Sequence, residues 1–284
     1  MSQSQHPVAL SLERQMGGAT RLLATVMVLP LVDGIFPALV LAGALSSVTG
    51  IFEVGLLVFG GSATMAVILA EMDGTPREQA RAVLAVGVVL VTLASLEAAL
   101  APAIASVLKL ATFERFAALV IAAVAAKTAS ARVGEYLPRP AVIVVLGLVA
   151  SFDPAGAALT VRPDPGLIAR AAAAALVGTS FALTVALAGP RLRDLVDIDR
   201  FRFGSAVALG LLPLSILGLP VGGAPLAVIA VTGLFALDPD ADGSAEGTVE
   251  DSTVVTDGGL ESDGDTADAE TTDVEDAVDR APWL

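Results

Sequence analysis

The stretch that most constrains this chain runs from Leu22 to Leu45. It is apolar throughout except for one charged side chain, Asp33, with Gly34 beside it and Pro30 and Pro37 on either side. About 20 apolar residues suffice for a helix to cross the hydrocarbon core of a bilayer, so this stretch is long enough. A carboxyl group at membrane depth is costly unless it faces protein or a wet cavity. Proline removes a helical N–H, and glycine frees the backbone from helical torsions. The segment therefore reads as a membrane helix broken around an acid. A fainter version returns at Ser151-Phe152-Asp153-Pro154-Ala155-Gly156.

The remainder repeats the apolar theme. Only 16% of the 284 residues are charged and 55% are hydrophobic, whereas a soluble domain carries about 25% charged residues. The expected spans are residues 22–45, 51–70, 82–101, 116–131, 141–161, 171–188, 204–219 and 223–237. Each should be helical, because backbone in lipid must satisfy its own hydrogen bonds. The short alternating strands of a membrane barrel are absent. The first span contains Asp33 and two prolines, unlike a cleaved leader, and is read as retained.

The expected fold class is thus all-α, a polytopic transmembrane bundle of about eight spans. It has seven if residues 204–237 make one crossing and a re-entrant segment. The ten residues from Gly61 to Ala70 resemble those from Thr179 to Ala188, and each stretch precedes a charged loop. That likeness points to a 4+4 tandem repeat with broken first helices, in which Asp33 corresponds to Asp153.

The formal charge of −14 is unevenly spread. Residues 238–284 hold sixteen Asp or Glu and one basic residue, Arg280, while residues 1–237 hold fifteen basic and fourteen acidic side chains. The domain reading follows: a cytoplasmic arm over residues 1–21, a membrane domain over 22–237, and an acidic tail over 238–284 that is expected to be disordered. Such a tail, with fourteen Arg against two Lys, fits a salt-loving organism. No basic stripe stands free of the apolar segments, so nucleic acid is not an expected partner. Eleven basic residues fall on the N-terminal side of an eight-span layout and four on the other. This bias puts the N-terminus, and with it the tail, in the cytoplasm of a multi-pass cell-membrane protein. The lipid bilayer is its main expected partner.

Asp33 and Asp153 are the leading candidates for holding a small cation or a proton. Glu97, deep in the third span, is a third candidate for the same cavity. Pro30, Gly34, Pro37, Pro154 and Gly156 are the helix-break candidates. Glu53 lies two residues into the second span, within reach of headgroups, and Lys127 lies late enough in the fourth to snorkel. A pairing of Lys127 with a buried acid is the alternative. No cofactor and no metal site are expected, since the chain has no Cys and one His, His6. Enzyme motifs are also missing: no HExxH, phosphate-loop lysine, nucleophile elbow or dinucleotide fingerprint.

On Leu29-Pro30-Leu31-Val32-Asp33-Gly34-Ile35-Phe36-Pro37 and Ser151-Phe152-Asp153-Pro154, the chain resembles a family of uncharacterised multi-pass membrane proteins from haloarchaea. The resemblance covers residues 10–237 and implies a membrane location without a biochemical role. The leading expectation is a small-solute transporter coupled to a cation or proton. The alternative is a membrane scaffold or assembly protein that transports nothing.

Overall fold

The computed structural model describes residues 18–153, 163–219 and 221–237. Pro154, Gly156, the acidic tail and most of the N-terminal arm lie outside them. The described elements are eleven α-helices, one 3-10 turn (Ala44–Ser46) and two π-helical turns. In chain order the helices are α1 (Gly18–Val32), α2 (Ile35–Leu41), α3 (Val48–Val54), α4 (Ser62–Ala66), α5 (Pro76–Ala105), α6 (Leu110–Ala129), α7 (Ala131–Tyr136), α8 (Pro140–Ser151), α9 (Pro165–Leu195), α10 (Ile198–Ile216) and α11 (Ala224–Phe235).

The frame is the antiparallel pair α5 and α9, which pack along one another. On α5 the buried side chains recur every three or four residues, at Ala80, Val83, Gly87, Leu90, Ala94, Ala98 and Ala101. On α9 the buried face runs through Ala171, Ala174, Ala175, Gly178, Ala182, Val185 and Ala186. Small residues let two backbones approach closely, so contact is spread along the whole seam. At Gly87 an added Cβ would collide with the Thr179 side chain. Both helices start firmly. Thr75 and Glu78 form a capping box ahead of Pro76, and the Asp164 carboxylate accepts from Gly166 N–H at 2.8 Å ahead of Pro165.

The segments before α5 are interrupted. α1 and α2 meet at a 40° bend, and the helical stretches Val48–Phe59 and Ser62–Glu71 meet at 48°. This second bent segment, residues 48–71, contains both π turns, Gly55–Phe59 in its first stretch and Val67–Glu71 in its second. Its end is tied to the frame through carbonyls that the helix leaves unpaired. Arg193 Nε donates to Leu69 O at 2.8 Å and its Nη2 to Met72 O at 2.7 Å, and Gln79 Nε2 donates to Met72 O at 2.6 Å.

The expected eight or seven spans do not survive. Among the described residues two helices, α5 and α9, are long and apolar enough to cross a membrane, or up to four if each bent pair counts as one span. The physical reasons differ by segment. α8 and α11 have 12 residues each, about 18 Å of helix against a hydrocarbon core of about 30 Å. α6 carries Glu114, Arg115 and Lys127, and α10 carries Asp199, Arg200 and Arg202. The 4+4 repeat fails with the count. Gly61 to Ala70 folds as a break, a short helix and a π turn, whereas Thr179 to Ala188 lies inside the uninterrupted α9.

The outward surface is nevertheless apolar. Val88, Val149, Leu176, Phe203, Leu234 and Phe235 are all more than half exposed. A large exposed apolar surface marks contact with lipid or with another protein.

Candidate functional site

Both bent segments open on one cavity. It has a volume of about 180 Å³ and takes Pro30 and Asp33 from the first bend and Gly61, Ser62 and Thr64 from the second. Lys127 and Thr128 from α6 and Ser205 from α10 complete its polar lining.

The first bend arises from a short run of residues. Pro30 sits in the last turn of α1, and Asp33 N–H still reaches Leu29 O at 2.8 Å. Gly34 then adopts φ 77°, in the left-handed region that L side chains rarely occupy. A Cβ there would also press on Val144 of α8 at 3.1 Å. Pro37, in the first turn of α2, has no N–H to offer the Asp33 carbonyl. The bend therefore leaves backbone acceptors beside the Asp33 side chain.

The second bend lies at Gly60-Gly61. Gly60 N–H pairs with Gly55 O at 2.9 Å, five residues back, and Gly61 then leaves the helix with ψ −177°. The extra residue of a π turn displaces the register of everything after it, and such turns recur at functional sites. Ser62 and Thr64 reach the cavity as a result. Thr64 Oγ1 donates to Phe59 O at 2.8 Å, so its lone pairs stay available. Ser62 and Ser205 are buried, and their hydroxyls make no hydrogen bond to a described residue.

Asp33 and Lys127 are the charged groups of this cavity. The Lys127 ammonium is close enough for its charge to act on the Asp33 carboxyl, yet the two form no ion pair. Both are partly exposed. An acid and a base that share a cavity without contact leave room for something between them.

The structure does not bring Asp33 and Asp153 together. Asp153 follows the end of α8, where its N–H donates to Val107 O at 2.8 Å and Leu108 bridges Phe152. Its carboxylate stands 3.9 Å from Lys109 Nζ, with both side chains well exposed. Lys109 precedes α6 and Lys127 lies in its last turn, so the two acids sit at opposite ends of that helix, about 27 Å apart along it. Glu97 lies on α5, half-buried, with Oε2 enclosed and unpaired among the described residues. It does not line the Asp33 cavity.

Two polar groups lie where the sequence placed them only as a second choice or not at all. Lys127 read first as a snorkelling residue, with pairing to a buried acid as the alternative, because nothing local shows that Asp33 lies across from it. Glu53 read as a headgroup contact, but it is 6% exposed. The doublet Gly60-Gly61 followed by Ser62 was the available signal for the second bend.

Residues 90–217 match a family of unknown function, DUF5794. The match covers just under half the chain and includes Glu97, Lys127 and Asp153, but neither Asp33 nor Glu53. No curated protein and no solved structure matches the chain.

Proposed function

We propose that this chain is a cell-membrane protein that carries a small polar solute, driven by a cation or proton gradient, and that the Asp33–Lys127 cavity is the solute site. The observation behind this reading is that two separate helix bends open on one cavity, where Asp33 of the first bend and Lys127 of α6 place an acid and a base. Interrupted helices recur at transporter substrate sites because they offer polar backbone groups that a continuous helix keeps paired. The size supports a small solute: a protein cavity of about 150 Å³ takes benzene, and this one measures about 180 Å³. The charge pattern favours a zwitterion, with its ammonium at Asp33 and its acid group at Lys127.

The test is uptake of labelled glycine and alanine into liposomes carrying the purified full chain, under an inward sodium or proton gradient. Asp33→Asn and Lys127→Gln should each lower uptake about tenfold or more, since each removes a charge-assisted contact. Asp153→Asn should leave uptake within about twofold of wild type, since it lies outside the cavity. Undiminished uptake in a folded Asp33→Asn protein would discard the assignment. A wild-type protein that moves neither solute under either gradient would favour the scaffold reading instead.

A further inference from the structure

A second cavity, of about 500 Å³, lies around Glu53. Its walls come from the turn after α2, from α3, from the last turn of α10 and from Gly222 and Gly223 ahead of α11. It shares no lining residue with the Asp33 cavity. Its polar groups are all oxygen donors: the Glu53 carboxylate and the hydroxyls of Ser46, Ser47, Thr49 and Ser215. No Lys, Arg or His lines it.

Glu53 is the anomaly. It is 6% exposed, its Oε1 is enclosed, and it makes no hydrogen bond or ion pair with a described residue. A buried carboxylate with no partner is strongly unfavourable, so Glu53 calls for a proton or a cation from outside the chain. We infer that the Glu53 cavity binds a small alkali-metal cation that keeps part of its water shell. The ligand chemistry selects this class. Hard cations take oxygen ligands, and a tight calcium site draws on several carboxylates. Here there is one, and no group of three or more acidic, His or Cys side chains occurs among the described residues. The volume is too large for a bare ion and leaves room for water bridging to the hydroxyls.

This inference stands apart from the transport reading, since it concerns other residues and is read by binding alone. The experiment is equilibrium dialysis of the full-length protein, in detergent micelles, against labelled sodium and, separately, labelled rubidium. Saturable binding approaching one ion per chain is expected, displaced by unlabelled sodium or potassium chloride and not by choline chloride. Glu53→Gln should weaken that binding about tenfold or more, and Glu97→Gln should leave it unchanged. Absence of saturable binding, or its persistence in Glu53→Gln, overturns the inference. If Glu53→Gln fails to fold, thermal unfolding of the wild type decides. Binding to the folded state raises the midpoint, so sodium or potassium chloride must stabilise more than choline chloride at equal ionic strength. Equal stabilisation by all three salts overturns the inference, as does a midpoint that responds to pH alone, which would make a proton the occupant.

Discussion

The continuous pair α5–α9 and the two bent segments before it are built from the same residue types and behave in opposite ways. Both contain proline. Pro102 and Pro190 sit inside α5 and α9, which run on past them to Ala105 and Leu195. Pro30 is followed instead by Gly34 at positive φ, and the chain turns. Proline alone therefore costs a hydrogen bond, while glycine in a non-helical conformation changes the direction of the chain. The small residues differ in the same way. Along α5 and α9 they draw two backbones together, whereas Gly60-Gly61 ends one helical stretch before the next begins. One region supplies a continuous seam, and the other supplies Asp33, Ser62 and Thr64 to the cavity.

The largest effect should come from forcing the two regions apart. Gly178 of α9 meets the π turn, where a Cβ would lie 2.5 Å from Phe59 Cβ and 2.8 Å from Gly55 O. Neither neighbour can yield without moving backbone. Gly178→Leu should destabilise the protein by about 3 kcal/mol or more, read as a lower unfolding midpoint in detergent. Gly233→Ala is the control, since nothing lies within 4 Å of its added Cβ. It should be neutral or stabilising by up to about 1 kcal/mol. If the two variants unfold alike, the close approach of frame and bend is not holding them together.

A middle effect should come from the bend itself. Gly34→Ala puts a Cβ on a left-handed residue, at a cost of about 1–2 kcal/mol, and presses it on Val144 at 3.1 Å. The unfolding midpoint should fall, and a probe on Asp33 should report a changed cavity. Gly34→Asn should cost less, because asparagine tolerates this region better than alanine. Equal costs for the two would show that crowding by Val144, and not backbone torsion, sets the penalty.

Helical character was legible from the apolar runs, but the number of crossings was not. A hydropathy window reads residues 141–161 as one span, while the helix itself is 12 residues long and stops at Ser151. The stretch Gly61 to Ala70 looked like Thr179 to Ala188 because alanine, threonine and leucine recur in both. Shared composition did not carry shared conformation, since the first contains a π turn and the second does not. At the site, Pro30, Asp33 and Gly34 announce their bend locally. Lys127 comes to share a cavity with Asp33 through tertiary packing, including that of α2 against α6, which no local pattern encodes. Glu53 was hidden for a related reason. Its place two residues into an expected span suggested headgroups, but the turns before α3 and α11 line the cavity around it.

The smallest effect should come from the end of the frame. Thr75 caps α5 by accepting from Glu78 N–H at 3.4 Å, while Glu78 Oε2 accepts from Thr75 N–H at 2.8 Å. Thr75→Ala removes one half of this exchange at an exposed position, for about 1 kcal/mol. The loss should show as faster amide exchange over the first turn of α5, with little change at Ala94 or Ala98 deep in the seam. The same variant should leave exchange at Asp33 and Gly34 unaltered, because their bend is held by local torsion and by α8. Faster exchange spreading from Pro76 into the bends would mean that the seam and the bends unfold as one unit, and the contrast between rigid frame and polar break would no longer describe how this protein is held.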